Sequence, residues 1–122
     1  TIAILGLAFK AQTDDIRESP AIDIIDALQS NGAIIKAFDP AANDNMKKLY
    51  NDLDTYMSWE EAVKDVDGVI IMTEWNEFRG MDLSKLKGLV KSPNILDCRN
   101  ILKIDDLEKL GFKYDNVGRK KR

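Results

Sequence analysis

The sequence predicts an α/β domain: an open, mainly parallel sheet with helices on both faces, a Rossmann-like three-layer sandwich. Three observations predict it. Short apolar runs alternate with stretches of helical spacing along the whole chain. The run Gly68 to Met72 (GVIIM) is continuously apolar yet too short for a helix, as a parallel strand buried on both faces must be. The 122 residues, 44% of them apolar, suffice for one buried core and not for two.

In chain order, Ile2 to Leu7 reads as a buried strand, and the polar, aperiodic stretch from Lys10 to Glu18 as a loop. Ser19 then supplies an N-cap ahead of Pro20 at the first helical position. Ala21, Ile22, Ile25 and Leu28 recur at helical spacing until Gly32 stops the helix. Ala33 to Phe38 is a second strand, closed by Asp39-Pro40, where the proline disfavours helical geometry at Asp39 and turns the chain. There follow a helix around Ala42 to Tyr50, a short strand near Thr55 to Met57, and a helix over Trp59 to Lys64 capped by Ser58. The GVIIM strand comes next, then a helix over Leu83 to Val90, a strand at Asn94 to Leu96, a helix over Ile104 to Leu110 stopped by Gly111, and an edge strand at Phe112 to Val117. Arg119-Lys120-Lys121-Arg122 reads as a solvated basic tail, so the domain is drawn over 1–119 with 120–122 as tail.

Composition removes whole classes of function. Eighteen Lys and Arg against 21 Asp and Glu leave a net charge of −3, with no uniform positive field for a phosphodiester backbone, so no nucleic-acid partner is expected. No apolar run approaches the ~20 residues that cross a bilayer, and the N-terminus lacks the basic-then-apolar-then-small pattern of an export signal; a soluble, cytoplasmic protein without a membrane partner is expected. One cysteine and no histidine exclude an internal disulfide, a Cys/His zinc site and any imidazole base.

In open parallel sheets ligands gather beyond the carboxyl ends of the strands. The first strand delivers Phe9, Lys10 and the loop to Arg17, and the second delivers Asp39-Pro40. GVIIM delivers Thr73-Glu74-Trp75, and the strand after Pro93 delivers Asp97-Cys98-Arg99-Asn100. Lys10, Arg17 and Arg99 beside aromatic surfaces suit a phosphorylated, ring-bearing ligand. Gly6-Leu7-Ala8-Phe9-Lys10 stands where a dinucleotide fold places G-x-G-x-x-G, but the second and third glycines are missing, so close backbone approach to a pyrophosphate is not supported. Lys10 is either an ordinary surface lysine or a phosphate or ring-hydroxyl contact. Asp14-Asp15 could hold a metal, but carboxylates near the positive end of the Ser19 helix are the better reading. Arg17 gains nothing from that same helix end, which favours a grip on an anionic partner. Trp59, Trp75 and Phe78 read as packing residues, and Cys98 lacks a base to make it a nucleophile.

Taken together, GLAFK-AQ-TDD-I-RESPA near the start, AFDPAA after the second strand, MTEWNEF after GVIIM, and ILDCRNI followed by GFKYDNVGR at the end resemble the C-terminal, UDP-binding domain of the UDP-glucose/GDP-mannose dehydrogenase family. The likeness covers essentially the whole chain. It implies an NAD-dependent enzyme that oxidises the C6 alcohol of a nucleotide sugar to a carboxylate in two hydride transfers, of the UDP-glucose to UDP-glucuronate type. In that family an N-terminal Rossmann domain holds NAD, a central region carries the catalytic cysteine and makes the dimer, and the C-terminal domain closes over the nucleotide end of the substrate. The resemblance implies that Lys10, with Phe9 alongside, and Arg99 contact the nucleotide sugar, and that Arg17 contacts NAD across the domain interface. Cys98 stands where the family's D-G-R motif has its glycine, a strained exchange if that position needs a positive φ. It is distinct from the catalytic cysteine, which lies outside this chain.

The implied chain therefore holds no catalytic residue and no metal, is inactive alone and monomeric, and belongs to a homodimeric parent. Thr1, opening directly on a strand without methionine, favours a segment of a longer reading frame. Two alternatives stay open: a receiver-like signalling domain using Asp14-Asp15, and a stand-alone nucleotide-sugar-binding module.

Overall fold

The computed structural model describes residues 1–116, so Val117, the basic tail and the boundary after residue 119 lie outside the described residues. Within them run β1 (Ile2–Leu5), α1 (Pro20–Ser30), β2 (Ile35–Phe38), α2 (Asn43–Leu49), β3 (Asp54–Thr55), α3 (Trp59–Val63), β4 (Gly68–Ile71), α4 (Asn76–Arg79), α5 (Leu83–Leu89), β5 (Asn94–Asp97), α6 (Ile104–Lys109) and β6 (Lys113–Asn116). The strands form one sheet in the order β3-β2-β1-β4-β5-β6, and every pairing is parallel. Ile2 is in register with Ile35 on one side and Gly68 on the other, so the two apolar runs β1 and β4 are central, as expected.

That order is the doubly wound order of dinucleotide-binding folds, which reverses direction between β1 and β4. A receiver domain would need β1 between β2 and β3, so the receiver-like alternative is removed by topology. Right-handed crossovers then dictate the layers. Leftward steps put α1 and α2 on one face, where Ala21, Ile25 and Met46 pack on Ile4, Ile35 and Ala37. Rightward steps put α3 to α6 on the other, where Trp59, Val63, Phe78, Leu86 and Leu107 pack on Ala3, Leu5, Val69, Ile71 and Ile95. Because all three crossovers from β3 onward use that second face, the first face keeps an apolar groove of about 320 Å³ over Ile2, Ile70 and Leu96.

Local chemistry explains the helix starts. Ser19 Oγ accepts from the Ala21 amide and donates to the Leu7 carbonyl at 2.8 Å, tying the start of α1 to the end of β1. Ser58 caps α3 by accepting from the Glu61 amide, and Asp82 caps α5 by accepting from the Lys85 amide.

The boundaries depart from expectation in specific places. The first strand ends at Leu5 because Gly6 turns the chain with φ +102°. The third strand is only Asp54–Thr55 at the sheet edge, and Met57, assigned to it by the sequence, is 87% exposed. The one-turn helix α4 was not expected at all.

Candidate functional site

Three chain segments meet at the carboxyl side of the switch point: the turn after β1, the end of β2 and the segment after β4. Gly6 is required there. A Cβ on it would fall 2.5 Å from Thr73 Oγ1 and 2.7 Å from the Thr73 amide nitrogen, and its φ lies in the region that favours glycine. Thr73 uses this closeness to donate from Oγ1 to the Ala8 carbonyl.

Asp39, at the end of β2, organises the same corner and is 2% exposed. One carboxylate oxygen accepts from the Leu7 and Ala8 amides at 2.8 and 3.0 Å and from the Trp75 indole at 3.2 Å. The other accepts from the Ala41 and Ala42 amides at 2.8 and 2.9 Å. A buried charge is tolerable only with such partners, and four main-chain amides plus an indole supply them. In the sequence Asp39-Pro40 shows only a turn, and this role of Asp39 is not evident there. An acid at the end of the second strand of a predicted doubly wound sheet was the available signal.

The consequence for a dinucleotide is direct. In this topology the amides after β1 approach the pyrophosphate and the acid after β2 binds a ribose. Here the Leu7 and Ala8 amides are satisfied by Asp39, and Asp39 is consumed by them. With Gly6 as the only glycine of the turn, these residues do not fit NAD at the fold's usual dinucleotide position.

The loop between β1 and α1 carries three of the expected contacts. Phe9 is 45% exposed, and its amide donates to the Asp15 carbonyl at 2.7 Å, which folds the loop back on itself. Phe9, Asp15, Arg17 and Glu18 line one cavity of about 300 Å³. Arg17 grips Asp15 with Nε and Nη2 at 2.8 to 3.2 Å, and its amide also donates to Asp15 Oδ1. Those hydrogen bonds hold the Asp15 carboxyl down at about 2. Asp15 is thus bound to Arg17 ahead of the helix, not to the helix amides. Asp14 is exposed, with its carbonyl accepting from Asn45 Nδ2. Among the described residues no group of three or more His, Cys, Asp or Glu side chains is placed to hold a metal. Lys10 is exposed and makes no ion pair among the described residues.

Arg99 comes from the other side of the switch point. Asp97, 1% exposed at the end of β5, accepts from the Arg99 amide at 3.1 Å and the Leu102 amide at 2.9 Å, which shapes the turn. Arg99 Nε lies 2.7 Å from Glu74 Oε2, in the segment after β4. The positive φ in this turn belongs to Asn100, at +57°, and not to Cys98, so the strain expected from a cysteine at the glycine position of the D-G-R motif is absent. Burial and Asp97 push the Cys98 thiol up, against a smaller opposite pull from Arg99, which disfavours the thiolate. Phe9 and Arg17 therefore share one cavity, while Arg99 is held at the ends of β4 and β5.

The sequence pattern of the UDP-glucose/GDP-mannose dehydrogenase family, UDP binding domain, matches residues 3–104. The UDP-glucose 6-dehydrogenase of Rhizobium meliloti (strain 1021) is 46% identical over 118 residues, covering 97% of this chain and 27% of its own. Among solved structures, an NDP-N-acetyl-D-galactosaminuronic acid dehydrogenase from Methanosarcina mazei Go1 superposes with a TM-score of 0.84 at 26% identity, over 97% of this chain and 24% of that one. A UDP-glucose dehydrogenase from Pyrobaculum islandicum gives 0.76 at 27% identity, over 93% and 24%. The chain thus spans about a quarter of the length of the relatives it matches.

Proposed function

This chain belongs to the UDP-glucose/GDP-mannose dehydrogenase family, as its UDP binding domain, and on that premise we propose that it is the nucleotide-sugar-binding part of an NAD-dependent 6-dehydrogenase of the UDP-glucose type. The rim beyond β1, β4 and β5 takes the diphosphate and its attached rings. Lys10 and Arg99 supply charge-assisted contacts to phosphate or ring oxygens, and Phe9, the chain neighbour of Lys10, supplies an apolar surface on the β1 side of the rim. Arg17 reaches NAD held by another part of the same polypeptide. NAD accepts hydride in the whole enzyme; this chain's share is to bind and orient the nucleotide end of the substrate. The reacting cysteine and the dimer contacts lie in other parts, so this chain alone is monomeric and turns over nothing. A cytoplasmic location fits a reaction on a soluble nucleotide sugar.

The observation that carries the reading is the pairing of a doubly wound switch point with an internal carboxylate in its dinucleotide position. Such a rim keeps the phosphate-binding location of the fold while giving up the pyrophosphate cradle that NAD needs. The stand-alone binding module remains a second reading only in that it shares the same site.

The test uses the full polypeptide and three variants. Lys10→Ala and Arg99→Ala are expected to weaken nucleotide-sugar binding about 10- to 150-fold, the worth of roughly 1.5–3 kcal/mol for a hydrogen bond to a charged group. Arg17→Ala is expected to weaken NAD instead. Dissociation constants for both ligands check this. Wild-type affinities in all three variants, or Arg17→Ala weakening the sugar and sparing NAD, would contradict the assignment.

A further inference from the structure

Glu74 has no part in the roles assigned so far, yet its setting is unusual. Its neighbours on both sides are pinned: Thr73 donates to the Ala8 carbonyl, and the Trp75 indole donates to buried Asp39. Between these anchors the Glu74 backbone has little freedom. Its Oε2 is buried and accepts no hydrogen bond among the described residues, although it stands 2.7 Å from Arg99 Nε. On the other side, the main chain of Arg99 is fixed through Asp97.

An arginine presents two distinct edges. Here the Nε edge faces a carboxylate, while the described residues give the two Nη nitrogens no hydrogen-bond acceptor and no second carboxylate. The side chain is 41% exposed, so that free fork is open to a ligand. Two nitrogens spaced in a plane match two oxygens of a phosphate or diphosphate. Holding the Nε edge in advance removes rotamer freedom that binding would otherwise have to remove.

We propose that Glu74 is a positioning residue: it holds Arg99 by its Nε edge so that the Nη fork is presented to the diphosphate of the nucleotide sugar. This rests on the reading of Arg99 as a ligand contact given above. The same carboxylate also opposes an anionic ligand by its charge, so the two effects have opposite signs and can be separated. Glutamine in its place keeps a polar side chain of the same reach against Nε and removes the charge, whereas alanine removes both.

The experiment measures the affinity of UDP for the full polypeptide at fixed ionic strength. Glu74→Ala is expected to weaken UDP about three- to tenfold, while Glu74→Gln restores affinity to the wild-type value or better. In an Arg99→Ala background, Glu74→Ala should have no further effect. Tighter UDP binding by Glu74→Ala would overturn positioning in favour of a purely opposing charge. Equal weakening by the alanine and glutamine variants that persists without Arg99 would also overturn it, as a general structural effect. If Arg99→Ala itself leaves UDP affinity unchanged, the failure belongs to the underlying assignment of Arg99, and the proposal falls with it. Thermal midpoints recorded alongside identify any variant that is merely unfolded.

Discussion

Asp39 gathers the Leu7, Ala8, Ala41 and Ala42 amides and the Trp75 indole onto one buried carboxylate. Removing it strands the buried Leu7, Ala8 and Ala42 amides and takes the acceptor from the part-buried Ala41 amide and Trp75 indole. Asp39→Ala is therefore expected to destabilise the domain by upward of about 3 kcal/mol, since each buried unsatisfied group costs about 1–3 kcal/mol and several are created together. Asp44→Ala, an exposed acid in the first turn of α2, should stay within about 1 kcal/mol. Urea unfolding of the two variants makes the comparison, and similar midpoints would contradict the role given to Asp39. None of this was legible locally. The pair Asp39-Pro40 looks like any turn until the amides of residues 31 and 32 positions earlier in the chain are brought to it. Arg17 and Arg99, by contrast, could be picked out as unusual cations at strand ends, but not that Asp15 and Glu74 hold them.

At the scale of elements, α1 and α2 are joined by a side chain. The Tyr50 hydroxyl at the end of α2 donates to Asp26 of α1 at 2.5 Å, and burial together with that carboxylate pushes the phenol up to about 12. A phenol raised from its ordinary value near 10 is favoured as the neutral form in the folded state. Its contribution to stability is complete below pH about 10 and is lost as pH rises through about 12. Phenolate absorbance should show a late component near 12 that Tyr50→Phe removes, and the fall in thermal midpoint between pH 10 and 12 should become shallower in that variant. An unchanged titration would place the tie elsewhere. Tyr56 is also raised, by burial and by Asp54 and Glu61, so the comparison between variants carries the result.

The long elements were readable because each had its own signal. Ser19-Pro20 and the spacing of Ile22, Ile25 and Leu28 are local facts, and the helix follows them. The helix α4 has only Asn76–Arg79, a single turn without room for a period, held because Phe78 is fully buried in the core. The edge strand at Asp54–Thr55 slid from its expected place because only two residues pair, with Lys36 and Ala37, and a pattern of period two needs more than that to declare itself.

For the whole molecule, alternation of apolar runs with helical spacing was enough to give the α/β class. The position of β1 and β4 at the centre followed from their continuous apolarity. The strand order itself was not legible, because crossover direction is set by which faces the helices cover after folding. The order matters most for function, since it places the switch point between β1 and β4, and ligands of doubly wound sheets bind in the crevice at such a point. At that place the fold presents a rim with Lys10 and Arg99 in reach of solvent, and behind it amides already satisfied by Asp39. Such a rim is expected to separate two ligands that share a diphosphate. Calorimetric titration of the 122-residue chain with UDP and, separately, with NAD under the same conditions tests this separation most directly. Saturable binding of UDP with no measurable heat from NAD is the predicted result, and NAD binding as tightly as UDP would contradict it.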